Sequence, residues 1–286
     1  MINMNVVITA DSTCDLPDYL VEERGIIITP LSILLGDKSY LDGIEIGPDE
    51  VYDHVRKTGE IPKTAAVTPA QYADVFKSIT DEGNAVVHIG LSSAISSSYQ
   101  NAVLAASEFE NVYCVDSRSL CTAMGLLVLK ACDLRDKGFE AKKIANRIKA
   151  LVPKVSTTFV LDNLEYLYKG GRCSGVARFG ANVLGLKPSI VQNTDTGALE
   201  VGKKYRGKID MVYKQYVEDC LSNINKIDTE RIVIADSGGI SGESLAFAKG
   251  VIEGKGVFKE IISATAGCTI SSHCGPKTLA IFYLKK

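Results

Sequence analysis

Short runs of β-branched and aliphatic residues alternate along the first half of the chain with stretches whose apolar positions recur at helical spacing. Asn5 to Ala10, Ala85 to Gly90 and Val112 to Val115 read as strands, and an amphipathic segment follows each; after the second, a serine-rich stretch gives way to a helix face over Tyr99 to Phe109. That alternation predicts a parallel α/β sheet. Helix punctuation agrees. Gly47-Pro48-Asp49-Glu50 sets proline in a first helical turn with acids behind it, and Gly59 closes that helix; Thr68-Pro69 pairs an N-cap with a proline whose missing N–H costs nothing there.

Beyond Pro153 the order changes. A strand over Thr157 to Leu161 leads into helical material through Leu184. The runs Pro188 to Gln192 and Ala198 to Lys204 then flank Asn193-Thr194-Asp195-Thr196-Gly197, a polar, glycine-ended cluster that signals a hairpin and hence antiparallel pairing. A helix near Ile209 to Ile224, a strand over Arg231 to Ala235, a helix near Glu243 to Ile252 and strands over Lys259 to Ala264 and Leu279 to Leu284 complete the chain. The expected fold is α/β in two domains: a parallel-sheet domain over residues 1–155 and a mixed, partly antiparallel α/β domain over residues 156–286.

Composition narrows the classes of function. The 286 residues are 46% hydrophobic and 23% charged, the profile of a globular protein with a substantial core. With 32 basic against 34 acidic residues and a net charge of -2, nothing marks a nucleic-acid or anionic-membrane partner. The eight cysteines form no CxxC pair and no zinc-type spacing, so they read as reduced, mostly buried thiols, and no metal is expected. No signal sequence opens the chain and no apolar run reaches the length of a membrane span, so a cytoplasmic protein is expected.

Four segments carry candidate chemistry. The run Gly90 to Tyr99 places serines at 92, 93, 96, 97 and 98 after a buried-type strand and before a helix, where hydroxyls and free N–H groups attract an anion. It has neither the glycines nor the lysine of a phosphate loop, which disfavours nucleotides and favours a carboxylate. Thr64, in the loop Ile61 to Pro69, adds a hydroxyl. Tyr168-Lys169-Gly170-Gly171-Arg172-Cys173-Ser174 couples a tight Gly-Gly turn to a guanidinium suited to carboxylates. His273 stands before Gly275-Pro276, a turn that aims its imidazole. Three strands also end alike, as Ala10-Asp11-Ser12, Val115-Asp116-Ser117 and Ala235-Asp236-Ser237: these are good helix-capping residues, and they are also where parallel sheets bind ligands. A small-acid hydrolase or transferase using Ser93 or Ser96 with His273 can be assembled from these residue types, although no GxSxG elbow is present.

Taken in order, VITADSTCDL (Val7 to Leu16), Pro62-Lys63-Thr64, Leu91 to Tyr99, Val115-Asp116-Ser117, LEYLYKGGRCS (Leu164 to Ser174) and His273-Cys274-Gly275-Pro276 resemble the DegV family, which is similar to the fatty-acid-binding subunits of bacterial fatty acid kinases. The resemblance implies a fatty acid bound between two domains, its tail in an apolar tunnel and its carboxylate at the rim. Thr64 and Ser93 would hold that carboxylate, with Ser92 and Ser96 beside them. His273, Arg172 and the Arg206 of Lys204-Tyr205-Arg206-Gly207 would line the head-group end or meet a partner. It further implies a lipid carrier without its own ATP site or cofactor, presenting the acid to a separate ATP-dependent kinase that makes the acyl phosphate in phospholipid metabolism. The chain departs from the family pattern at Ala65 and Ala66 (T-S-Q-P-S becomes T-A-A-V-T), at Ser97 (for glycine in L-S-G-T) and at Lys277 (for glycine in G-P-G), which bears on chain-length preference. A regulatory protein whose ligand controls association is the remaining alternative.

Overall fold

A computed structural model describes residues 4–177 and 186–286, so the end of the helical stretch expected through Leu184 lies outside the described residues. The expected α/β arrangement is present, with a parallel sheet in the N-terminal part and a mixed sheet in the C-terminal part. The parallel sheet has four strands in the order Ile27–Thr29, Val6–Asp11, Ala85–Gly90, Val112–Asp116. Every residue of Ala85–Gly90 is buried, as a central parallel strand covered on both faces must be.

The mixed sheet has six strands in the order Leu199–Arg206, Leu186–Gln192, Val155–Val160, Leu279–Lys285, Ile227–Asp236, Glu260–Thr265. Only its last pair is parallel. The predicted hairpin joins Leu186–Gln192 to Leu199–Arg206: Asn193 Oδ1 accepts from the N–H groups of Asp195 and Thr196, and Gly197 takes the left-handed conformation (φ 75°) that closes the loop. The strands of the two large sheets do not interleave along the described chain: the mixed sheet begins at Val155.

The strand Ile27–Thr29 and a further small sheet were not anticipated. Lys38–Leu41, Ser32–Leu35 and Lys63–Ala65 form a small antiparallel sheet. Its strands are three or four residues long, too short for alternation to register in the sequence. Its consequence is positional, because pairing Thr64 with Ile33 fixes the threonine expected at the ligand.

The helix Cys121–Asp136 forms the central layer. Its sequence, CTAMGLLVLKACDLRD, has almost no polar face, and it packs against Val6–Asp11 and Ala85–Gly90 on one side and against Val155–Val160, Ile227–Asp236 and Leu279–Lys285 on the other. Gly125 lets the turn at Cys14 approach; a Cβ there would lie 2.9 Å from the Cys14 carbonyl oxygen. Near the helix's C-terminal end Asp133 accepts from Arg24 (2.8 Å) of the first half and Arg231 (2.5 Å) of the second, and Arg231 also reaches Glu260 (2.7 Å). Burial raises the Asp133 carboxyl, but the two guanidinium groups outweigh it and hold the group below its ordinary value.

Candidate functional site

Where the two large sheets and the small sheet converge, a cavity of about 290 Å³ opens. Leu31, Leu91, Leu120, Phe159, Leu167 and Leu199 supply an apolar wall drawn from both halves of the chain. Thr64, Ser96, Ser97, Arg172 and His273 supply a polar one. Leu120, Phe159, Ile270 and Cys274 also line a second, wholly apolar space of about 30 Å³ that runs on towards Ala280 and Phe282. A mainly apolar cavity with hydroxyls, an imidazole and a guanidinium in its wall suits a long apolar molecule with one polar end.

His273 sits on the short helix Cys268–Cys274 and Thr64 on the edge of the small sheet. Sequence separates them by 209 positions, yet His273 Nε2 and Thr64 Oγ1 lie 2.9 Å apart. Burial, aided by the nearby Arg172 charge, lowers the imidazole to about 4, so His273 is neutral at physiological pH. Its Nδ1 has no partner and packs over Gly170, where a Cβ would lie 2.3 Å away. The first glycine of the Lys-Gly-Gly-Arg turn therefore makes room for the imidazole. Arg172 itself is exposed at the rim, with Nη1 donating to the Gly170 carbonyl (2.7 Å).

The serine run divides. Ser96 lines the cavity, its hydroxyl 2.9 Å from that of Ser98 and accepting from the Ser98 N–H. Ser97 is also in the wall, and the helix begins at Ser98. Ser92 and Ser93 do not line the cavity. Ser92 is fully buried and donates to the Gly197 carbonyl at 2.8 Å, joining the two halves. Ser93 donates to Asp116 Oδ2 at 2.6 Å, and its N–H reaches Asp116 Oδ1. In this structure a carbonyl and an acid take the protons of these two hydroxyls. Arg206, at the exposed end of Leu199–Arg206, lies outside the cavity wall.

The three strand-end acids hold loops. Asp11, buried beside His88, accepts from the Tyr72 hydroxyl and from Leu91 N–H (2.7 Å); Asp116 fixes Ser93 and Arg118 N–H; Asp236 accepts from Gly238 N–H (2.8 Å). They shape the crevice from behind rather than capping the helices that follow. Among the described residues no serine hydroxyl bonds to His273, no group of three or more His, Cys, Asp or Glu is placed to hold a metal, and no helix is long and apolar enough to cross a membrane. All eight cysteines are free thiols. Two buried acids, Asp15 and Asp42, went unnoticed in the sequence, since nothing local distinguishes them from turn residues.

The profile of the family described as "Uncharacterised protein, DegV family" matches residues 5–286. The chain belongs to the DegV family. A DegV domain-containing protein of Clostridium perfringens is 31% identical to it over 98% of this chain and 99% of its own length, and one of Clostridium acetobutylicum is likewise 31% identical over 98% and 99%. A fatty-acid-binding DegV structure from Thermus thermophilus superposes with a TM-score of 0.90 at 26% identity, covering 99% of this chain and 100% of that one. A stearic-acid-binding protein from Eubacterium ventriosum superposes with a TM-score of 0.82 at 26% identity, covering 98% of each chain. Solved DegV structures thus bind fatty acids, in a fold that this chain shares over 98–99% of its length.

Proposed function

We propose that this protein binds a long-chain fatty acid between its two domains, 1–155 and 156–286, with the acyl tail along the apolar cavity and the carboxylate at Thr64, Ser96 and His273. The observation that carries the reading is the Thr64–His273 contact in the wall of a mainly apolar cavity. A neutral imidazole protonated on Nε2 donates to Thr64 Oγ1 and turns the threonine proton towards the ligand. Thr64 then donates to the carboxylate, Ser96 adds a second hydroxyl, and Arg172 supplies positive charge from the rim. The tail provides most of the affinity, about 0.8 kcal/mol per buried methylene, and the hydroxyls fix orientation. Binding fatty acid in DegV relatives supports the same assignment.

The rest of the reading concerns delivery. The protein is a carrier without an ATP site, working in the cytoplasm where its thiols stay reduced, and it hands the acid to a separate ATP-dependent kinase for acyl-phosphate formation. The exposed guanidinium groups of Arg172 and Arg206 are the partner-facing charges in this reading. It is favoured over a serine hydrolase because His273 bonds a threonine, while Ser93 and Ser96 bond Asp116 and Ser98.

Isothermal titration of delipidated protein with oleate or stearate tests the head-group assignment. Thr64→Ala and Ser96→Ala each weaken binding about 10-fold, the cost of one hydrogen bond to a charged group. Ser92→Ala instead lowers the melting temperature, for loss of a buried hydrogen bond of about 1 kcal/mol, and leaves affinity unchanged. Wild-type affinity in both Thr64→Ala and Ser96→Ala removes the carboxylate from this wall of the cavity.

A further inference from the structure

The helix that carries His273 is capped by a residue far away in the chain. Cys268–Cys274 starts after Gly267, an N-cap with no side chain of its own. Its first N–H groups are instead taken by Asp42, 226 residues earlier: Oδ1 accepts from Cys268 N–H at 2.9 Å, while Oδ2 accepts from the Thr269 hydroxyl at 2.7 Å and lies 3.4 Å from Thr269 N. Ser12 holds the carboxylate from behind, donating to Oδ2 at 2.9 Å and accepting from Leu31 N–H. Asp42 is 3% exposed, so water does not replace these bonds. The Asp15 carboxyl closes the same space, since a Cβ on Gly267 would lie 2.7 Å from Asp15 Oδ1 and 3.5 Å from Asp42 Oδ1.

The same seven-residue helix presents Thr269, Ile270, His273 and Cys274 to the cavity. We propose that Asp42 is a positioning residue for the head-group site, fixing the height and direction of the Cys268–Cys274 helix so that His273 meets Thr64. A helix this short has little stability of its own, so its placement rests on its ends and its packing. Cys268 adds one further tie, its thiol 3.1 Å from the Ile46 carbonyl on the loop that follows Asp42. The loop that holds the helix thus lies in the first half of the chain, and the helix in the second.

The inference rests on the proposed fatty-acid site, but its primary readout needs no ligand. In wild-type protein the expected result, from NMR of the ring carbons and nitrogens, is a His273 midpoint near pH 4, because burial disfavours the charged imidazole. Asp42→Asn keeps the volume and one acceptor but removes the charge and the second acceptor. The His273 midpoint then rises towards the ordinary value near 6.5 as the ring loosens from Thr64. In the same preparation fatty-acid affinity falls about 10-fold, while far-ultraviolet circular dichroism stays that of the wild type. Folded Asp42→Asn with an unmoved His273 midpoint overturns the inference. Should that variant fail to fold, Ser12→Ala removes only the donor behind the carboxylate: a smaller upward shift of the same midpoint supports the role, and no shift overturns it. Failure of wild-type protein to bind fatty acid would instead strike the proposed function and leave the His273 result standing.

Discussion

Replacing Ile270 with tryptophan abolishes lipid binding while the fold survives. Ile270 lines both the main cavity and its narrow apolar extension, so an indole there occupies the space that the middle of an acyl chain requires. Displacing four methylenes from apolar contact forfeits about 3 kcal/mol, or more than 100-fold in affinity. The isoleucine is only partly buried and faces empty volume, so the larger side chain fills a void rather than a packed core. Titration with stearate measures the loss, and an unchanged melting temperature shows that the chain still folds. Wild-type affinity in Ile270→Trp would mean that the tail does not run along this path.

The second large effect concerns Asp15. Its carboxyl is enclosed, neither oxygen has a hydrogen-bond partner, and its backbone adopts φ 45°, the left-handed region unusual for a residue with a side chain. Burial above all, and then the Asp42 charge, raises it to about 7, against the opposing pull of the Cys121 thiol and the Gly267 N–H. The thiols around it, at Cys14, Cys121 and Cys268, are themselves raised by burial and stay neutral. An unfolded aspartate releases its proton near pH 4. Between about pH 4 and 7 the folded chain therefore holds a proton that the unfolded chain has lost. Stability falls as pH rises through that window and levels off above it. Asp15→Asn removes this dependence: its melting temperature stays nearly flat between pH 5 and 8, while that of the wild type drops by several degrees. Equal slopes in the two proteins would show that Asp15 ionises normally. Asp133, held low by Arg24 and Arg231, acts in the opposite sense at acid pH and is common to both proteins.

How far the sequence reaches depends on whether a feature is local. Thr68 was recognisable as a cap because its partner is three residues away: it accepts from Gln71 N–H while Gln71 Oε1 accepts from Thr68 N–H. The Asn193 to Gly197 loop was recognisable for the same reason. The helix after Lys208 was overextended, since Cys220 ends it and Ile224–Lys226 forms a separate turn. The serine run shows the limit most clearly. Hydroxyls at 92, 93 and 96 are equivalent to a reader of the sequence, yet Gly197, Asp116 and Ser98 claim them differently, and only Ser96 faces the cavity. Pairing of His273 with Thr64, and of Asp42 with the helix at Cys268, spans more than 200 residues and arises only when the fold brings those segments together. The DegV resemblance supplied the idea of a fatty acid, and the cavity supplies its shape.

Native mass spectrometry of the protein, delipidated and then exposed to a mixture of long-chain acids including stearic acid, tests the central claim most directly. The account predicts one fatty acid per chain on the wild-type protein and none on Ile270→Trp. A wild-type spectrum containing only the bare chain after that exposure would contradict it.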